Sequence, residues 1–334
     1  MTGLWYIDGI DIYAKYGIGI SRDGFGGLIT FPSIKELYYN DWPESDGIDV
    51  DLSEIKLNNE AVDLTFSCVT RDNEKIDDFI IFLTEPGYRT LSFTSLGRSY
   101  RLRLNKESAR NVEREAQEFT LQFYDDFPRD LLLIYPYVLG TESGDLLITE
   151  DGQYLIDMSN SSTSAMGHGM NMPLSEYQLD GISFSKYGLI VNKGRAEIYK
   201  IPDLKTNLEV NIGSQDSVQY DTSFNVFKSK EVTLECSFLT KNIDMFWNNY
   251  TAFFSALTAP DERLLGVDYM NDTFECHYKS SSNFKIEMHP SYILCQFNLV
   301  LVFTKSRPKT TVKVLGTEDK LMFVTEDDNF LIEI

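Results

Sequence analysis

From Val62 to Val69 the chain alternates Val62, Leu64, Phe66 and Cys68 with Asp63, Thr65 and Ser67. A period of two marks a strand with one face buried. Leu91 with Phe93, and Tyr100, Leu102 and Leu104, form two more such runs either side of the turn-like Leu96-Gly97-Arg98. Phe119, Leu121 and Phe123 form another. Between the first strand and these runs the period changes, with Ile76, Phe79, Ile80 and Leu83 falling at i, i+3, i+4 and i+7. That spacing predicts an amphipathic helix of about three turns. Asp72 or Asn73 would cap it and Pro86-Gly87 would stop it. Farther along, Ile243, Phe246, Trp247, Tyr250 and Phe253 form a second helical stripe, closed by Pro260.

The recurrence of that order reflects a wider repetition. Asp8-Gly9-Ile10 and Lys15-Tyr16-Gly17 return as Asp180-Gly181-Ile182 and Lys186-Tyr187-Gly188. Pro32 and Lys35 return as Pro202 and Lys205, and the strand at Val62 returns at Val232. Val138-Leu139-Gly140-Thr141-Glu142, Thr149-Glu150-Asp151 and Leu155-Ile156-Asp157 recur at Val314, Thr325 and Leu331. Matched blocks in one order, at a spacing that drifts only slightly, read as a tandem duplication of a whole domain.

Each half is therefore expected to be mainly β, an antiparallel sandwich or open barrel with one flanking helix, followed by a β-hairpin. The expected boundaries are 1–130 for the first domain, 131–158 for its hairpin and 159–177 for a Ser/Gly/Met-rich linker. The second domain follows at 178–306, with its hairpin at 307–334. In the hairpins, Asp151-Gly152 and Asp328-Asn329 supply the turns.

Composition supports an ordered chain: 43% of residues are hydrophobic, with 22 Phe and 19 Tyr, which favours strands. A formal charge of -21 argues against a phosphate-neutralising surface of the kind nucleic-acid binding needs. Cys68, Cys236, Cys276 and Cys295 form no C-x-x-C pair and adjoin no clustered histidines, so buried free thiols are expected in a reducing compartment. Cys68 and Cys236 are read as equivalent positions of the repeat. The stretch from Met1 to Tyr16 lacks the basic and apolar regions of a signal peptide, and no apolar run is long enough to predict a membrane span.

The search for chemistry yields little. Asp41, Glu44, Asp46, Asp49 and Asp51 cluster around Trp42, where paired carboxylates would suit a glycosidase and a Trp would stack on a sugar. The same run reads more simply as a loop entering a strand, and as a cation site it lacks the spacing of an EF-hand. Asp41, Trp42, Glu44 and Asp46 are kept as the candidate binding loop. His168 lies in the linker. Cys276 and His277, adjacent on an expected strand, would point to opposite faces. Gly24-Phe25-Gly26-Gly27 has no Lys-Ser/Thr after it and is not a phosphate loop. No catalytic, cofactor or metal residues are assigned, and the chain is not expected to be an enzyme.

The opening Ile7-Asp8-Gly9-Ile10-Asp11-Ile12-Tyr13-Ala14-Lys15-Tyr16-Gly17, the strand at Phe31-Pro32-Ser33-Ile34-Lys35 and Asn40-Asp41-Trp42-Pro43-Glu44 resemble the N-terminal domains of bacteriophage and prophage tail and baseplate proteins. This is the distal-tail and tail-tube group. The resemblance is best from the start of the chain to the neighbourhood of Asp125, and it reaches the second half through the repeat. It implies a non-catalytic structural protein of the virion tail, made in the bacterial cytoplasm. Such a protein assembles with itself and other tail proteins into a ring around a channel through which DNA passes without specific binding. It also implies either a trimer whose six domains mimic a hexamer or a true hexamer. A carbohydrate-binding or adhesin module is the alternative, and a glycosidase a more distant one.

Overall fold

The computed structural model describes residues 2–21, 24–68, 73–112, 116–128, 137–138, 156–157, 169–170, 175–207, 209–214, 216–222 and 225–307. Most of both closing hairpins and of the linker, His168 included, lies outside the described residues. Of the first hairpin, Tyr137–Val138 and Ile156–Asp157 pair antiparallel.

The first half runs β1 (Trp5–Ile7), β2 (Ile10–Asp11), α1 (Ile12–Tyr16), β3 (Ile18–Ile20), β4 (Tyr39–Asn40), β5 (Asp49–Val50), β6 (Glu60–Cys68), α2 (Asn73–Thr84), β7 (Arg89–Phe93), β8 (Arg98–Val112) and β9 (Gln117–Asp125). The hairpin strands just given are β10 and β11. The second half runs β12 (Tyr177–Leu179), β13 (Ile182–Ser183), β14 (Leu189–Lys193), α3 (Arg195–Tyr199), β15 (Glu209–Asn211), β16 (Val218–Tyr220), β17 (Lys230–Thr240), α4 (Ile243–Leu257), β18 (Arg263–Val267), β19 (Asp272–Met288) and β20 (Ile293–Phe303). The chain is mainly β, of β-sandwich type, as the alternating pattern predicts.

Two seven-stranded antiparallel sheets carry the fold, ordered β2-β1-β7-β8-β9-β6-β3 and β13-β12-β18-β19-β20-β17-β14. Strand for strand the orders match. In each, the two edge strands are consecutive in the chain: α1 alone joins β2 to β3, and a single 3-10 turn, Phe184–Tyr187, joins β13 to β14. Five helical residues span only about 7.5 Å. Both sheets must therefore curl until their edges nearly meet, which makes each an open barrel and removes most of the exposed edge.

The correspondence between the two sheets extends to their turns. Asp8 and Asp180 adopt left-handed conformations (φ 51° and 49°), each followed by a glycine (φ 76° and 79°), in the two-residue turns that return β1 to β2 and β12 to β13. The Asp8 carboxylate accepts from Thr90 N at 2.7 Å and Arg89 Nη1 at 3.1 Å. Asp180 accepts from Leu264 N at 2.9 Å and Arg263 Nη1 at 3.1 Å. The repeat corrects one sequence expectation. Ile18 pairs with Cys68 where Leu189 pairs with Phe238, so Cys68 corresponds to Phe238 rather than to Cys236. Both positions face inward, so a Phe and a Cys have exchanged places two positions apart on one buried face.

α2 crosses the first sheet through Phe79, whose ring lies 5.3 Å from Phe66 and 6.4 Å from Phe119. α4 crosses the second through Phe246 and Phe253, each 5.9 Å from Phe238. The Asn242 side chain caps α4, accepting from Met245 N at 2.9 Å. The helices differ on their outer faces. α2 turns Asp77, Asp78 and Ile81 to solvent, whereas on α4 the residues Trp247, Tyr250, Thr251 and Phe254 are buried as well. A helix apolar all round needs a second partner. For α4 that partner is the first half of the chain, and one continuous core runs through both halves.

Candidate functional site

The junction of the two halves brings together most of the residues that the sequence singles out. Its first component is an arm, residues 29–57, that leaves the first barrel between β3 and β6 and lies on the second. Ile29 and Phe31 are fully buried there. The Phe31 ring stacks on Phe254 at 4.3 Å and meets Tyr250 and Tyr278 edge-on. Buried hydroxyls and an indole satisfy the arm's backbone and its surroundings: Tyr250 Oη donates to Ile29 O at 2.7 Å, Ser281 Oγ to Phe31 O at 2.9 Å and Tyr278 Oη to Pro32 O at 3.0 Å. Trp247 Nε1 donates to Leu96 O at 2.7 Å, and the Arg98 guanidinium lies 4.0 Å from the Trp247 ring centre. Buried polar groups paired in this way fix one docking geometry.

The second component is the candidate binding loop. Asp41 forms an ion pair with Lys205, which is only 7% exposed. The same ammonium donates to Trp42 O at 2.8 Å, Ser45 O at 2.8 Å and Gly47 O at 2.6 Å. Asp46 accepts from Phe227 N at 2.9 Å and faces Arg307 at 3.5 Å. Gly47 N donates to Phe227 O at 2.8 Å, and Ile48 N to Thr304 O at 3.1 Å. Thus Asp41 and Asp46 tie the halves together, while Glu44 and the Trp42 ring are exposed. Lys205 is the residue that sequence reasoning missed as a partner. Its signal was its match with Lys35 in the repeat, but nothing local distinguishes a caged lysine from a solvated one.

Ionisable groups beside the junction are shifted by burial. Burial lowers the His277 imidazole to about 4, with Lys279 adding to the effect, and His277 Nδ1 is buried without a hydrogen-bond partner. Glu60, opposite Asp125 in the β6–β9 ladder, is pushed up to about 7, first by burial and then by the Asp125 charge. The expectation that Cys276 and His277 point to opposite faces meets a second layer: both are buried. One side of β19 faces its own barrel and the other faces the arm, whose Ile34 N donates to Lys279 O at 3.0 Å. An open groove of about 480 Å³ remains here, lined by Lys35, Leu37, Tyr39, Asp41 and His277 among others.

The four cysteines are buried and none is in a disulfide. Burial raises the Cys276 thiol to about 12 and raises Cys236 and Cys295 as well, away from the thiolate range that nucleophiles need. Among the described residues no three His, Cys, Asp or Glu side chains converge as metal ligands, and no helix is long and apolar enough to cross a membrane. What the junction's geometry does chemically is bind protein to protein: aromatic pockets with satisfied hydrogen bonds, rimmed by ion pairs.

No protein-family model matches the chain, and no curated protein does. Among solved structures it is similar to the Dit protein of phage SPP1, described as a paradigm of the hub adsorption apparatus in phages that infect Gram-positive bacteria. The two share 10% identity over 90% of this chain and 97% of that one, with a TM-score of 0.30.

Proposed function

We propose that this chain is a non-catalytic structural component of a phage or prophage tail, part of the distal-tail or baseplate hub ring around the DNA channel. The observation that carries the reading is that two barrels of one topology are joined within a single chain through unlike faces, arm to helix. A contact between unlike faces, repeated by rotation, builds a ring where the rotation closes. Three copies would supply six barrels, and a hexamer using one barrel per copy is the other arrangement. The opening motifs that resemble the tail and baseplate group support the assignment, and the charge of -21 suits a surface past which DNA must slide without adhering. The test is the mass of the full chain by light scattering at tens of micromolar, with negative-stain imaging. Annular trimers or hexamers are expected. A monomer at every concentration would remove the ring.

One observation favours a second reading, a carbohydrate-binding module. Tyr38 (89% exposed), Tyr39 and Trp42 project from the junction next to the groove, as rings that stack on sugars do. A glycan array probed with the full chain separates the two: binding lost in Trp42→Ala would support the module, and an array without hits would discard it.

A further inference from the structure

The halves correspond position by position, so each face used at the junction exists twice. On the arm the offset is 170: Ile34 bridges Leu57 as Leu204 bridges Phe227, and Lys35 N donates to Lys56 O as Lys205 N does to Val226 O. On the receiving face the offset is 174: the β8 ladder bulges between Leu104 and Lys106 where the β19 ladder bulges between Tyr278 and Ser280, and Arg89 matches Arg263 in gripping its aspartate turn.

One copy of each face is covered and the other is largely bare, the second arm being held by the first half at Lys205 and Phe227. Ile29 and Phe31 are fully buried, but their counterparts Tyr199 and Ile201 are 55% and 61% exposed. Leu204, Val210, Val218 and Tyr220 continue the same bare arm of the second half, around the β15–β16 hairpin. On the receiving side Thr251, Ser281 and Phe284 are buried, Ser281 Oγ donating to the arm's Phe31 O and Thr251 lying beside Arg98 of the first half, whereas the equivalent Asp77, Glu107 and Arg110 are open to solvent.

We infer that the bare second-half arm, centred on Tyr199 and Ile201, docks head to tail on α2 and the outer half of β8 in a second copy of this chain. The occupant follows from continuity: an arm of this design already has one seat, the equivalent helix and strand face in the other half of its own chain. This inference rests on the ring reading and specifies its faces. The seat on the first half carries the charged Asp77, Asp78, Lys106, Glu107 and Arg110 where the second half has the uncharged Thr251, Ala252, Ser280, Ser281 and Phe284. Contacts between copies are therefore weaker than the contact within a copy, and salt screens them more. A face-to-unlike-face contact also sets a rule that a self-complementary one does not: a copy damaged on one face still offers the other.

That rule is the experiment. One full-length variant carries Tyr199→Asp and Ile201→Asp on the arm, and a second carries Asp77→Arg and Glu107→Arg on the seat. All four positions are solvent-facing, and matching unfolding curves for variants and parent verify folding. By sedimentation velocity at tens of micromolar, the parent should form the larger ring and each variant should be monomeric. An equimolar mixture of the two variants should give a dimer and nothing larger, because one competent arm and one competent seat remain. If the parent forms rings and both variants do so equally well, the ring reading stands and these faces are wrong. A parent that is monomeric throughout overturns both. If removing residues 308–334 turns a monomeric parent into an oligomer, the bare face belongs to the chain's own terminal segment, and the second-copy assignment fails.

Discussion

Glu60 and His277 pull stability in opposite directions as pH changes. Glu60 titrates near 7 in the folded chain against an ordinary 4.5, so folding retains its proton. Its contribution is fully present below pH 4.5 and is lost as pH rises to 7, at most about 3 kcal/mol for such a shift and less as solvent screens the half-buried carboxyl. His277 titrates near 4 against an ordinary 6.5. Its contribution is present above pH 6.5 and is lost as pH falls toward 4, again about 3 kcal/mol. The slopes largely cancel between pH 4.5 and 6.5. The parent should therefore be flat there in urea unfolding, Glu60→Gln should lose stability as pH falls, and His277→Gln should lose it as pH rises. Parallel profiles for all three proteins would refute the assignment. At this scale the sequence was least informative. It shows Asp41, Asp46 and His277 as ionisable groups but not what covers them, because their partners Lys205, Phe227 and the arm lie far along the chain.

Secondary elements were far more legible. The alternation beginning at Val62 became β6, and the stripes at Ile76 and Ile243 became α2 and α4. The arm was not legible: the strand expected at residues 31–35 is only an isolated bridge from Ile34 to Leu57, and the buried Ile29, Phe31, Leu52, Ile55 and Leu57 follow neither a helical nor a strand period. Its seating depends on backbone approach. A Cβ on Gly47 would stand 1.8 Å from Thr304 O, and its φ of 71° also disfavours a side chain. Gly47→Ala must expel the loop, breaking the bonds to Phe227 and Thr304 and opening the Lys205 cage. We expect a loss of about 3–4 kcal/mol in chemical denaturation. Gly87 has φ 113° but open space around its Cβ position, so Gly87→Ala should cost only about 1 kcal/mol. Equal costs would mean that the close approach at Gly47 is not structural.

For the whole molecule, the duplication suggests two folding units, yet the core is continuous from Trp5 to Phe303. Calorimetry of the full chain should show one transition, with calorimetric and van't Hoff enthalpies agreeing. Two resolved peaks would show that the junction is too weak to couple the barrels. Sequence shows the internal similarity without coordinates, and the two sheets share one strand order. It did not reach the asymmetry between copies, since Phe31 and Ile201, or Tyr250 and Ile76, are all simply apolar residues in matching places.

The arm's bonds also set an order of events at the ribosome. Ser281 lies 250 residues beyond the Phe31 carbonyl it binds, and Arg307 lies 261 beyond Asp46. The first barrel therefore emerges with Ile29, Phe31 and the Gly47 loop uncovered, and it must wait for nearly the whole remaining chain before its own second half arrives. At about 5–20 residues per second, that interval is on the order of 10 to 50 seconds. Throughout it, the nascent arm is free to take the α4 face of a neighbouring chain whose own arm has not yet docked, a swapped dimer whose yield should fall when translation is fast.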